Sequence, residues 1–396
     1  AGASYLCFAD SALYAEPAAL RARFGAETVE RLRRQAEEER VATAYGWVSA
    51  APSSIRAREG LIRLLLDRER FDEAANQSTI LKDLGLESQA LAYEARALFA
   101  QRRFSEAADR MTESTATLSD AELDAQMFDA YGNAFVIVGA AGRVDKAREL
   151  MTRWIRAIPV DAIPVTGPEG DVAMLPTAII GELINIVWAE YRVDSVEISR
   201  AAHEWFDLLQ STLAPDTAAY RIIMTAPDFA MLTLYLWSRD TTILTHFLSY
   251  QDADTWHSGR AHLALARGDT AEARDIVERR FRPDESRPAG WSGTESKEGY
   301  AWADLLARLG DLREAVDAYA QLDSIHLDAG VTLMIRSWAE RGALYQQLGE
   351  DSMAIEMYQK FIDALEDGDE TVQPMVERAR RALAALRGEA YPPVDR

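Results

Sequence analysis

The sequence predicts an all-α protein built from stacked helical hairpins, and three observations carry that expectation. A short phrase recurs six times, as Arg70-Phe71-Asp72-Glu73-Ala74, Arg103-Phe104-Ser105-Glu106-Ala107, Arg143-Val144-Asp145-Lys146-Ala147, Asp269-Thr270-Ala271-Glu272-Ala273, Asp311-Leu312-Arg313-Glu314-Ala315 and Glu350-Asp351-Ser352-Met353-Ala354. Each copy stands between two apolar runs of helical period. Each also ends on an alanine, the small residue needed where a second helix passes close to the first. Recurrence of this kind marks a solenoid rather than a globular core around one active site.

Taken in order, residues 1–24 are weakly patterned, and a first helix is expected from Ala26 to about Ala50. Its Glu27/Arg31 and Glu30/Arg34 pairs stand at i,i+4 and suit a solvated face. Pro52-Ser53-Ser54 breaks the chain and offers an N-cap. Leu61, Leu64 and Leu65 precede the first turn, and Leu91, Ala95 and Leu98 lead to the second. Ser119-Asp120-Ala121-Glu122 has capping-box spacing before a third pair carrying Tyr131, Phe135 and Val138. Residues 157–173 hold Pro159, Pro164, Gly167, Pro168 and Gly170 and read as a long loop. Apolar runs at 175–190, 195–213, 227–237 and 241–250 keep the helical period without the phrase, as two degenerate pairs. From His257 the pattern returns, with Asp269-x-x-Glu272 at a capping spacing, a second loop from Arg282 to Lys297, and clear repeats at about 297–325 and 331–365. A last helix over about 370–387 bears Arg378, Arg380 and Arg381 on what reads as a solvated capping face. The expected organisation is thus 1–50 N-terminal segment and helix, 51–156 repeats, 157–253 loop and degenerate pairs, 254–387 repeats and capping helix, and 388–396 tail.

Residue types in the last full repeat carry a family resemblance. Trp338, Gly342, Tyr345, Ala354 and Tyr358 fall at offsets 0, 4, 7, 16 and 20. This resembles the tetratricopeptide repeat, with Trp-x3-Gly-x2-Tyr on helix A and Ala-x3-aromatic on helix B. The preceding repeat is similar through Leu306, Gly310, Ala315 and Tyr319, although Gly299 and Ala303 replace the first large and small positions. Spacing from Ala74 to Ala107 is 33 residues, near the family period, whereas later spacings of 39 to 42 imply longer helices or loops. The resemblance implies a right-handed α-α superhelix, a TPR-like solenoid of about eight hairpins with a capping C-terminal helix. It also implies a concave groove lined by the A helices, where peptides or protein segments bind. Register extrapolated from the repeats assigns Arg56, Glu59 and Arg63, then Gln89 and Arg96, and later Tyr300, Asp304, Arg336 and Gln346 to that groove. The mixed signs differ from the two-carboxylate clamp of chaperone-tail receptors in the family. Trp291, in a Gly/Pro/Ser loop, is a separate candidate anchor, since tryptophan is enriched among interface anchors.

Composition narrows the function classes. A formal charge of −21 on 396 residues argues against sequence-independent nucleic-acid binding and against docking on anionic lipid. Only four lysines accompany the arginines (Lys82, Lys146, Lys297, Lys360), a skew that points to GC-rich coding. Cys7 is the one cysteine, which excludes an intrachain disulfide and a cysteine-based zinc site. No apolar stretch reaches 18 residues, so no membrane insertion is expected. These features favour a cytoplasmic home, while the start at Ala1 without methionine leaves a missing signal peptide or upstream domain, and a periplasmic or extracellular site, open.

Signatures of chemistry are sparse. The phosphate-loop, dinucleotide and Gly-x-Ser-x-Gly patterns do not occur. His257 and His262 are five apart, about 140° around a helix, which disfavours joint metal binding. His203-Glu204 reads as core packing beside Trp205, and Asp367-Gly368-Asp369-Glu370 as a solvated turn without calcium-loop spacing. No cofactor, metal or catalytic residue is expected. The expected function is a non-enzymatic scaffold that binds a protein or peptide in the groove. The alternatives are a sensor or regulatory solenoid of a larger signalling protein (a kinase or transcription regulator), and a helical enzyme with carboxylates such as Glu182, Glu190 or Asp194.

Overall fold

A computed structural model describes residues 26–116, 118, 134–157, 162–166, 172–176, 195–213, 217, 220, 231–249, 257–280, 293–324 and 330–389. The described residues are almost entirely helical and arranged as hairpins, and the repeating element is the turn that the six phrases encode. Immediately before each phrase stands a residue with a left-handed backbone: Glu69, Arg102, Gly142, Gly268, Gly310 and Gly349. The first N–H of the phrase then reaches back five residues, as in Arg70 to Leu65, Asp311 to Leu306 and Glu350 to Tyr345. This is the Schellman closure of one helix. The alanine N–H returns to the first phrase carbonyl (Ala315 to Asp311, Ala354 to Glu350) and opens the next helix. All six alanines are at most 1% exposed, because the two helices meet there.

The chain divides into two compact units, the first running to Glu87 and the second beginning at Ser88. In the first, α1 (Ala26–Ala50) packs on α2 (Ile55–Asp67), which pairs with α3 (Phe71–Asp83). Ser54 caps α2 as expected, its Oγ accepting from Ala57 N. Leu61, Ile62, Leu65, Ala74 and Leu81 form the core, and Tyr45 of α1 donates to Glu73 at 2.6 Å.

The second unit holds α4 (Glu87–Ala100), α5 (Phe104–Ala116), α6 (Ala134–Ala140), α7 (Val144–Ala157), α8 (Ser195–Thr212), α9 (Met231–Ser238) and α10 (Thr241–Leu248). It continues through α11 (His257–Ala266), α12 (Thr270–Arg280), α13 (Gly293–Leu309), α14 (Leu312–Ala320), α15 (Val331–Gln347), α16 (Asp351–Leu365) and α17 (Gln373–Arg387). Degenerate sequence between 227 and 250 still gives a hairpin. Arg239 takes the left-handed position (φ 59°) and Asp240 caps α10. In the best-matched repeat, Gly342 lets α15 approach α16 closely, since a Cβ there would lie 2.9 Å from the Tyr358 ring.

Contacts in this unit are not confined to neighbouring hairpins. Phe104 of α5 meets Trp338 of α15 with ring centroids 6.4 Å apart, and Arg102 donates to the Asp323 carbonyl. Ser105 donates to Asp367 at 2.7 Å. The turn at Gly142 abuts the turn at Gly368, where Asp369 N donates to Gly142 O, and Asp369 Oδ2 accepts from Asp145 N at the start of α7. The Asp367–Glu370 turn is therefore a docking seam, not the solvated turn read from sequence.

From within the expected loop at 157–173, and running past its end, an antiparallel pair forms from β1 (Ala162–Thr166) and β2 (Val172–Pro176), in register from Ala162 opposite Pro176 to Thr166 opposite Val172. The expected helical run from 175 thus begins as strand. Ile163, Val165 and Val172 favour extended backbone, and a two-stranded ribbon tolerates Pro164 because, among the described residues, each strand pairs along one edge only. The capping spacing at Ser119–Glu122, and Cys7, Glu182, Glu190, Asp194 and Trp291, lie outside the described residues.

Candidate functional site

The second unit gathers its buried polar groups where α9, α11, α13 and α15 converge. Arg239, leaving the α9–α10 turn, forks onto Asp304 of α13 at 2.8 and 2.7 Å. Burial would raise the Asp304 carboxyl, but the hydrogen bonds and charge of Arg239 overcome it and hold it below the usual range. Beside it, His262 of α11 is fully buried, with Nε2 2.9 Å from the Ala301 carbonyl and Nδ1 3.3 Å from an Arg308 nitrogen. An arginine only donates, so Nδ1 accepts and Nε2–H donates, which makes the ring neutral. Burial lowers its pKa to about 4, against the opposing pull of Asp304.

An aromatic layer adjoins these charges. Tyr300 meets Trp237 and Tyr319 edge-on, at 5.1 and 5.0 Å between centroids. On the other side of Trp237, the Arg336 guanidinium sits 3.5 Å from the ring centroid, a close cation–π stack. Glu340, one turn along α15, accepts a long hydrogen bond of 3.4 Å from Tyr300. Burial pushes its carboxyl up, and the nearby Arg336 offsets this only in part.

Trp237, Arg336 and Glu340 form one wall of a cavity of about 290 Å³, closed by Phe361 of α16 and by Met375 and Arg378 of α17. Small residues make the space: Ala339 and Ala343 on α15 face Ala379 and Ala382 on α17. The cavity is thus apolar in its body, with charged residues contributed by both α15 and α17.

The sequence-assigned groove residues fare unequally. Tyr300, Asp304 and Arg336 come together in this cluster, but Tyr300 is only 1% exposed and Asp304 is consumed by Arg239, so both are packed rather than presented. Arg336 is half-buried on the cavity wall, while Gln346 of α15 is exposed. On α4, Gln89 and Arg96 are half-buried, with Arg96 6.0 Å from the Tyr93 ring centroid. In the first unit Arg56 is exposed, and Arg63 and Glu59 are half-buried. Sequence reasoning missed Arg239, Trp237 and Glu340. Arg239-Asp240 did carry a signal, a charged residue before a capping aspartate between two apolar runs.

A second polar group lies between α8 and the α10 cap. Asp240 accepts from Ser199 (2.5 Å) and from the N–H and Oγ1 of Thr242, and it lies 2.9 Å from His203 Nε2. Burial opposes the charge, but these hydrogen bonds win and hold Asp240 far below the ordinary carboxylate range. His203 is about half exposed, so it is not the core histidine read from sequence. Ser199 and His203 bind the same carboxylate, and no Ser–His contact poises the hydroxyl for attack. Among the described residues no group of three or more His, Cys, Asp or Glu could hold a metal, and no helix is long and apolar enough to cross a membrane.

The sequence matches no protein-family model and no curated protein. Among solved structures, the chain is similar to Naa15/Naa10 bound to HypK-THB, at 12% identity and a TM-score of 0.31, covering 91% of this chain and 56% of that one. It is also similar to yeast Tom70, at 12% identity and a TM-score of 0.23, covering 90% of this chain and 94% of that one. The chain therefore spans little more than half the length of the first of these.

Proposed function

We propose that this protein is a non-enzymatic recognition scaffold that binds a protein or peptide segment along its helical hairpins. The observation that supports this most is Arg336. It belongs to the set assigned to the groove by repeat register, and it stands half-buried on a cavity wall, stacked on Trp237 and one turn from Glu340. A tryptophan and an arginine held rigidly beside an apolar space are what binding hot spots are made of. The buried charges behind them are committed to structure: Asp304 to Arg239, and His262 to Ala301 and Arg308. Such groups stiffen a surface rather than move protons.

Charge reversal tests this. The Arg96→Glu and Arg336→Glu double variant should lose recovery of the natural partner while retaining the helical circular dichroism of the wild type. Arg63→Glu, in the first unit, should weaken recovery separately. Undiminished recovery by the folded variants counts against the assignment.

A further inference from the structure

α17 carries four arginines (Arg378, Arg380, Arg381, Arg387) against one glutamate, Glu377, within a chain of net charge −21. Sequence alone makes this a solvated cap. In the structure, Arg380 pairs with Glu377 and Arg387 donates to Gln359, whereas Arg378 is exposed at the cavity and makes no ion pair or hydrogen bond among the described residues. Arg336 of α15 lines the same cavity. The floor between them is aromatic and aliphatic, with Phe361 and Tyr358 held in place by the α15–α16 packing.

We propose that this cavity receives one bulky apolar side chain of a partner protein, from an acidic segment whose carboxylate pairs with Arg378. This rests on the recognition reading above and names the chemistry of its partner. Local charge argues for the acidic flank, because Arg378 and its α17 neighbours make this helix basic while the chain as a whole is strongly negative. The cavity of about 290 Å³ far exceeds the space of a few waters, about 10–15 Å³ each by the same measure, and its body offers an apolar occupant more than it offers water. A charge pair at an exposed site gives binding of about two- to fivefold, and the buried side chain gives the rest.

The test uses the full chain and twelve-residue peptides blocked at both ends, each with a central Phe, Leu or Gly flanked by glutamates or by lysines. Fluorescence anisotropy should show the Glu-flanked Phe or Leu peptide binding about two- to fivefold more tightly than the Lys-flanked one, and more tightly than the Gly-centred ones. Arg378→Glu should remove that preference, Arg378→Lys should retain most of it, and Ala343→Leu should weaken binding by filling the space. Equal binding of both charge types, no binding by any peptide, or an unchanged Arg378→Glu overturns the assignment. So does octanoate binding as tightly as the peptide, which makes the occupant a free acid, or a dimer that Arg378→Glu dissociates, which makes it a second copy. If the natural partner is recovered equally by wild type and Arg378→Glu, the scaffold stands and the cavity falls. A wild-type chain that recovers no partner removes both.

Discussion

Arg239 holds Asp304 by both terminal guanidinium nitrogens, from a left-handed backbone position that most residues avoid. The pair ties the α9–α10 turn to the middle of α13. Asp304 is only 14% exposed while Arg239 is 43% exposed, so losing Arg239 strands a carboxylate in a poorly hydrated site, whereas losing Asp304 leaves an arginine that water still reaches. Arg239→Gln should cost about 2–4 kcal/mol in urea unfolding, and Asp304→Asn less, about 1–2 kcal/mol. The double variant should cost less than the two added together, the sign of a direct pair. Additive losses in that cycle would refute the coupling.

Acid should loosen the second unit through His262. Its folded pKa of about 4 lies below the ordinary value of 6.5, so the unfolded chain binds the extra proton first as pH falls. The contribution is complete above pH 6.5, declines between 6.5 and 4, and is gone below, for a total of roughly 3 kcal/mol. Unfolding free energy measured from pH 4 to 8 should rise with pH more steeply in the wild type than in His262→Gln. Parallel curves would mean that the ring is not held neutral.

The six turns separate backbone strain from packing. Gly310 has φ of 87° with open space around its missing Cβ, so Gly310→Ala should cost about 1–2 kcal/mol through conformation alone. Glu69 occupies the same position in the first unit with its side chain exposed, and Glu69→Gly should raise the melting temperature. A stabilised Gly310→Ala would remove the argument.

Gly342 tests close approach instead. A methyl there meets the Tyr358 ring at 2.9 Å, against a well-packed α16, so Gly342→Ala should lose about 1–3 kcal/mol although alanine favours helix. Thermal denaturation of Gly342→Ala against the exposed-helix control Gly60→Ala, which meets nothing, reads the difference.

Turns and hairpin pairing were legible because alanine, glycine and the capping residues act locally, within five residues of one another. Even the degenerate pair at 227–250 kept enough apolar period to be read as helix. The candidate site was less so. Tyr300, Asp304 and Arg336 could be assigned by register, but register says nothing about burial. Asp304 became internal only because Arg239, 65 residues earlier, folds onto it. Trp237 and Glu340 look like ordinary core and surface residues until α9, α15 and α17 enclose a space. The strand pair escaped for a related reason, since proline and glycine announce irregular chain and give no pairing partner. The solvated reading of Asp367–Glu370 failed because its partner, Gly142, is more than 200 residues away.

That last contact changes how the second unit should come apart. Open arrays of paired helices unravel from their ends, one hairpin at a time, with each segment's stability set by its immediate neighbours. Here Asp369 supplies the terminal cap for α7, and Trp338 lies against Phe104, so the late hairpins hold down the early ones. The circuit makes unravelling collective. It also makes maturation on the ribosome wait, because α7 lacks its capping carboxylate until the C-terminal third of the chain has emerged.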